Sequence, residues 1–147
     1  MPFSVIDAEM RHVSDIAKLE KLCFSMPWNE KMILSQYPDD MHVFLVCEDD
    51  SGVLAGYVGM MFVLDEGYIA NVAVSPEYRR RGLADMLIGK LIEKAEALKL
   101  SFLTLEVRES NLPARSLYKK HGFTDVGRRK KYYELPAEDA ILMTRFL

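Results

Sequence analysis

The sequence predicts one α/β domain, a mixed sheet flanked by helices, and three features carry that expectation. Short runs of strand-forming residues alternate with amphipathic helical stretches. The 147 residues, 50% hydrophobic and 28% charged, suffice for a single core. No repeat, low-complexity tract or Pro/Gly/Ser-rich linker divides residues 1–147, so a single domain is expected.

In chain order, residues 3–7 read as a first strand. Ser14-Asp15 is placed to cap a helix running to about Phe24. Pro27-Trp28-Asn29 interrupts it, and Asn29 starts a second helix ending near Pro38. The run HVFLVCE at 42–48 is a strand, Asp49-Asp50-Ser51-Gly52 a turn, and 53–63 the returning strand, weakened or bulged at Gly56 and Gly59. Another turn leads to a strand over 68–74. Ala84, Leu87, Ile88, Leu91, Ile92, Ala95 and Leu98 then recur at helical spacing. Residues 102–107 form a strand, 111–121 a helix that Gly122 terminates, and 123–133 and 139–146 two more strands. The expected order is β-α-α-β-β-β-α-β-α-β-β.

Composition narrows the function. A net charge of −3 argues against general nucleic-acid binding, which needs a cationic surface. No apolar run approaches the roughly 20 residues that span a bilayer. The start, Met1-Pro2-Phe3-Ser4, has no basic and apolar leader pattern. Cys23 and Cys47 are isolated and read as reduced thiols. His12, His42 and His121 lack ligand spacing, so no metal is expected. A cytoplasmic protein without nucleic-acid, membrane or metal partners follows. The basic run Arg128-Arg129-Lys130-Lys131 reads as a solvated strand face before it reads as a binding patch.

The most specific feature is the stretch Asn71-Val-Ala-Val-Ser-Pro-Glu-Tyr-Arg-Arg-Arg-Gly-Leu-Ala84. A strand ends at Pro76, a basic loop follows, and a helix opens near Gly82. Free N–H groups of a first helical turn, with the helix dipole, favour an anion there. Charge-assisted hydrogen bonds of about 1.5–3 kcal/mol each would hold a pyrophosphate. The loop has neither GxxxxGK[ST] nor GxGxxG spacing. It does have R-x-x-G-x-[GA] in Arg79, Gly82 and Ala84 after V-x-V-x-P, and so resembles the acetyl-CoA loop of the GNAT superfamily of N-acetyltransferases.

Downstream, Asn111 opens a helix and Tyr118, seven residues on, projects from the same face. Glu106 lies near the end of the preceding strand, where α/β sheets present reacting groups. The residues LEVRESN at 105–111, then Leu117-Tyr118 and Gly122-Phe123, resemble the branch of that superfamily acting on the N-terminal alanine of ribosomal proteins. Pro27-Trp28, Leu64-Asp65-Glu66, Arg129 with Tyr132-Tyr133, and Glu138-Asp139-Ala140-Ile141 follow the same pattern in order. The resemblance implies an acetyl-CoA-dependent N-acetyltransferase with Glu106 as base and Tyr118 as proton donor. It implies acetyl-CoA contacts from Val72, Ala73, Val74, Arg79, Arg80, Arg81, Gly82, Leu83, Ala84, Asp85 and Asn111. Trp28, Tyr132 and Tyr133 would wall the amine's entry, with core packing an equal alternative. The implied partner is a protein N-terminus, specifically the N-terminal alanine of a small-subunit ribosomal protein. A small-molecule amine on the same fold and a non-catalytic CoA-binding module stay open as alternatives.

Overall fold

The computed structural model describes residues 2–147, so Met1 of the N-terminal reading lies outside the described residues. Its elements are β1 (Phe3–Asp7), α1 (Val13–Cys23), α2 (Glu30–Leu34), β2 (His42–Asp49), β3 (Leu54–Val63) and β4 (Glu66–Val74). They continue with α3 (Leu83–Ala97), β5 (Phe102–Arg108), α4 (Leu112–Lys120), β6 (Thr124–Glu134) and β7 (Ala137–Phe146). The order is the one expected, with single 3-10 turns added at Met10–His12 and Pro76–Tyr78.

Two helix ends differ from expectation. Ser14 and Asp15 lie inside the first turn of α1; the helix is entered instead through the 3-10 turn, where the Glu9 N–H donates to His12 Nδ1 at 2.8 Å. Asn29 does cap α2, its Oδ1 accepting the Met32 N–H at 2.9 Å. That helix stops at Leu34, before the expected Pro38.

The seven strands form one sheet in the order β1-β2-β3-β4-β5-β7-β6. All neighbours are antiparallel except β4 and β5, which pair in parallel only over Glu66–Tyr68 with Phe102–Thr104. Beyond that they part. The bulge lies in β4: Met60 opposes Ile69 and Gly59 opposes Asn71, leaving Ala70 as the extra residue. An extra residue bends its strand and increases local twist. β3 carries its own extra residue at Ala55, beside Gly56, against β2.

Helices cover both faces. Val43, Leu45 and Cys47 of β2 join the cluster under α3, while Phe44 and Val46 join the cluster under α1 and α2. That explains an unbroken apolar run where a one-sided strand would alternate. On α3, Leu83, Leu87, Ile88, Leu91, Ile92 and Ala95 are buried. Leu98, expected on that face, is exposed at the helix end. Gly56 is required for the close seating of β3: a Cβ there would lie 2.8 Å from the Ala73 carbonyl oxygen and 3.2 Å from Leu87. Leu87 has no exposed surface. Leu87→Ala should destabilise the fold by about 2–5 kcal/mol, read as a lower denaturant midpoint with an unchanged m-value.

Candidate active site

Where β4 and β5 part, each strand loses a neighbour. The Ser75 N–H donates to the Ala55 oxygen at 2.8 Å across the β3 side. Backbone groups alternate along a strand, so Val72 and Val74 aim theirs away from β3, into the opening. A cavity of about 880 Å³ occupies the opening, lined by Val72, Glu106, Asn111, Tyr118, Trp28, Tyr132 and Tyr133 among others. Seven residues singled out from the sequence thus meet around one space. Ala73 does not join them, because its side chain packs in the cluster beneath α1.

The basic loop approaches from the end of β4. Gly82 is the N-cap of α3 at φ +74°, and nothing lies within 4 Å of the position a Cβ would take. Glycine is needed there for the left-handed backbone, not for space. The side chains of the loop do varied work. Arg79 turns inward, donating from Nε to the Val74 oxygen at 3.2 Å and lying 3.6 Å from Cys23 Sγ. Arg81 stacks over the Tyr78 ring at 5.6 Å. Leu83 is a core residue. The Asp85 carboxylate pairs with Lys120 Nζ at 3.0 Å and His121 Nε2 at 2.9 Å, tying α3 to α4. The Lys120 hydrogen bond, then that of His121, holds the Asp85 carboxyl below its usual range. For Leu83 and Asp85 only the backbone remains to face a ligand, and a carboxylate already paired is kept from repelling phosphate.

Across the opening, Tyr118 is set by the end of its helix. Gly122, at φ +86°, donates to the Lys119 oxygen and Phe123 to the Tyr118 oxygen, both at 3.0 Å. This is a Schellman closure, and it brings the Phe123 ring 5.8 Å from that of Tyr118. Tyr118 is 7% exposed, and burial, then the neighbouring Tyr133, raises its phenol well above the usual range. Asn111 caps α4, its Oδ1 accepting the Ala114 N–H at 3.2 Å, so its side chain has a structural task as well as a place in the cavity wall.

Glu106 retains 29% side-chain exposure, with Arg129 Nε 3.7 Å from Oε1. Its carboxylate raises the neighbouring Tyr132 phenol through a hydrogen bond. Burial takes Tyr133 to about 12, and its ring lies 4.3 Å beneath the Arg108 guanidinium. The hairpin between β6 and β7 is held over the cavity. Arg108 donates to the Leu135 and Pro136 oxygens at 3.0 and 2.8 Å, and Ser25 Oγ donates to the Leu135 oxygen at 2.5 Å from the segment between α1 and α2. Of the basic run, Arg128 pairs with Glu109 and Asp139 on the exposed edge strand β6. Such charge guards an edge against pairing with another chain.

Residues 13–123 match the acetyltransferase (GNAT) family. The chain belongs to the GNAT acetyltransferases. An Escherichia coli (strain K12) relative named ribosomal protein bS18-alanine N-acetyltransferase is 35% identical over 127 residues, 85% of this chain and 84% of that one. A Bacillus subtilis (strain 168) relative, whose name assigns it the same activity provisionally, is 36% identical over 141 residues, 95% of this chain and 93% of its own. The crystal structure of the ribosomal-protein-S18-alanine N-acetyltransferase from Escherichia coli superposes with a TM-score of 0.91 at 30% identity, covering 99% of this chain and 94% of that chain.

As a GNAT enzyme the protein uses acetyl-CoA as its acetyl donor. The residues fit that donor. The outward amides of Val72 and Val74 lack a strand partner, and the first turn of α3 opens from a left-handed glycine beside three arginines. Among the described residues no group of three or more His, Cys, Asp or Glu is placed to hold a metal, and no helix is long and apolar enough to cross a membrane.

Among the cavity residues to which the sequence reading gave no role in the site are Glu20, Cys23 and Asn71. The signal for Glu20 was available, since it falls four residues after Ile16 on the apolar face of α1. The loop yields a direct test. A β-branched residue at φ +74° is strongly strained, so Gly82→Val should keep the fold by circular dichroism yet weaken acetyl-CoA at least about tenfold by calorimetry, given the strength of charge-assisted bonds.

Proposed function

We propose that this acetyltransferase acts on the N-terminal α-amine of a protein, with the N-terminal alanine of a ribosomal protein as the natural acceptor. The observation that carries the reading is the covered acceptor side. The segment between α1 and α2 bonds to the β6–β7 hairpin through Ser25 and Leu135, giving a bridged approach beside Trp28, Tyr132 and Glu106. A chain terminus can thread such an approach. The names and coverage of the Escherichia coli and Bacillus subtilis relatives support the same acceptor, and a ribosomal substrate is consistent with a cytoplasmic protein.

Acetyl-CoA supplies the thioester carbonyl. Val72, Ala73 and Val74, the loop from Arg79 to Asp85, and Asn111 are the proposed holders of that donor. The amides of Val72 and Val74 serve a carbonyl oxygen as negative charge develops on it, the placement from which preorganised donors act. Glu106 receives the proton of the attacking amine, directly or through one water. Its partial exposure leaves it an open side, with Arg129 Nε 3.7 Å away. Tyr118 faces the departing sulfur. A thiolate has a basicity near that of a thiol of pKa about 8.5, well below the raised Tyr118 phenol. The hydroxyl therefore acts by donating a hydrogen bond to the sulfur and keeps its own proton, the sulfur leaving as a thiolate. Only a neutral amine attacks. At pH 7 about 14% of a terminal amine of pKa about 7.8 is neutral, against about 0.04% of a lysine.

A panel of three acceptors tests the reading: a peptide beginning with alanine, the same peptide with a blocked terminus and an internal lysine, and a polyamine. Mass spectrometry should place the acetyl group on the free terminus, and equal rates on the lysine peptide or a preference for the polyamine would replace this reading with a broader one. Glu106→Gln should lower kcat by about 10²–10⁴-fold with acetyl-CoA affinity unchanged, the usual contribution of a general base. In the pH profile of kcat/KM, activity should climb through about pH 7.8 as the amine loses its proton. Because Tyr118 is raised, its proton stays on through that window, so no descending limb should appear below about pH 10.

A further inference from the structure

Glu20 is 1% exposed and yet lines the cavity. Its Oε1 accepts the Trp28 N–H at 2.9 Å; its Oε2 accepts the Tyr57 hydroxyl, and the Asn71 Nδ2 at 3.1 Å. Every partner is a donor, the pattern an ionised carboxylate requires. Burial raises the carboxyl above its usual range and these three bonds offset only part of that, while burial and then the neighbouring Glu20 raise the Tyr57 phenol. One side chain on α1 thus gathers β3, β4 and the irregular segment between α1 and α2.

What it gathers lies on the acceptor side. Trp28 belongs to a stretch, residues 24–29, with no helix or strand of its own, and Pro27 in it lacks an N–H. Such a wall stays in place only where its backbone is tied to a rigid element. Beside the Ser25 bond to the β6–β7 hairpin, the Trp28 N–H supplies the tie to α1, the rigid element. Asn71 immediately precedes Val72, whose amide faces the opening.

We propose that Glu20 is a positioning residue for the acceptor: by clamping the Trp28 backbone and the Asn71 side chain it fixes the width of the amine slot and so selects small N-terminal residues. This rests on the N-terminal reading above. A wall that cannot yield excludes a bulky first side chain by sterics, and a loosened wall admits it. Pocket discrimination of this kind is worth about 10–200-fold per misfit group.

Polarity exchange across the Glu20–Asn71 contact tests the role. In Glu20→Gln the amide keeps an oxygen for Trp28 but turns an NH₂ toward Asn71 Nδ2, setting donor against donor. Adding Asn71→Asp restores a donor–acceptor pair. For wild type, Glu20→Gln and the double variant, kcat and KM are measured on peptides beginning with alanine and with leucine, alongside acetyl-CoA affinity by calorimetry. Glu20→Gln should raise KM for the alanine peptide about tenfold, the loss of a hydrogen bond to a charged group. It should cut the alanine-over-leucine preference by a similar factor, with kcat within about threefold. Acetyl-CoA affinity should not move, and the double variant should recover both the KM and the preference. Tyr57→Phe, which removes a different donor from the same carboxylate, provides a second variant and should shift KM in the same direction.

Folded Glu20→Gln and Tyr57→Phe proteins with wild-type KM and preference would overturn the role of Glu20 alone. So would a loss confined to kcat. A wild-type enzyme that accepts no peptide terminus would instead overturn the N-terminal reading, and this proposal with it.

Discussion

The parting of β4 and β5 is the constraint on which the rest of this molecule depends. Two strands that pair over three residues and then separate leave a row of backbone donors and acceptors without partners. Unpaired backbone groups away from water are costly, so the opening has to be satisfied by something. Part of the answer is internal: the Val74 oxygen accepts from both Arg79 Nε and Cys23 Sγ. The outward amides of Val72 and Val74 have no strand partner on β5 and are the proposed donors to a ligand. A sheet that stayed paired would have no cavity and no donors to offer.

Holding such an opening at a fixed width requires ties across it, and they come from beyond the strands. Asp85 at the start of α3 reaches Lys120 and His121 at the end of α4, so the helix that follows β4 is pinned to the helix that follows β5. These ion pairs are partly exposed, and each alone contributes little. Their value is geometric. Gly122 and Phe123 then close α4 so that Tyr118 faces inward against Phe123. On the far side, Arg108 reaches from β5 to the β6–β7 hairpin, and Ser25 meets the same hairpin from the opposite wall.

Much of this was legible in the residues. The apolar spacing of α3, the Asn29 cap and the Gly122 stop are local signals, and local chemistry decided them. Gly82 was legible for the same reason, because a left-handed residue before a helix leaves a mark in composition. The parting of β4 and β5 was not legible, since a strand's pattern records its faces and says nothing about which neighbour it keeps. Nor was the inward turn of Arg79: a guanidinium in a basic loop reads as available to solvent or phosphate, and only the position of the Val74 carbonyl shows where it goes. Glu20 was missed because a charged residue within an amphipathic helix is ordinarily assigned to the wet face. Its place on the apolar face was in the spacing, but its three donors come from residues far along the chain.

The two carboxylates that border the cavity show how environment divides labour between identical chemistry. Glu20 has its oxygens committed to a backbone N–H, a phenol and an amide, and almost no exposed surface. A carboxylate so enclosed has poor access to an incoming proton, and protonating it would spoil bonds that hold a wall in place. Glu106 has one ion-pair contact at 3.7 Å, a phenol beside it and an open side. Its open side leaves it accessible from the cavity, and no element of the scaffold hangs on its oxygens. Sequence alone presents two glutamates. Their different partners suit the one to the proposed hold on the acceptor's path and the other to the proposed role of base.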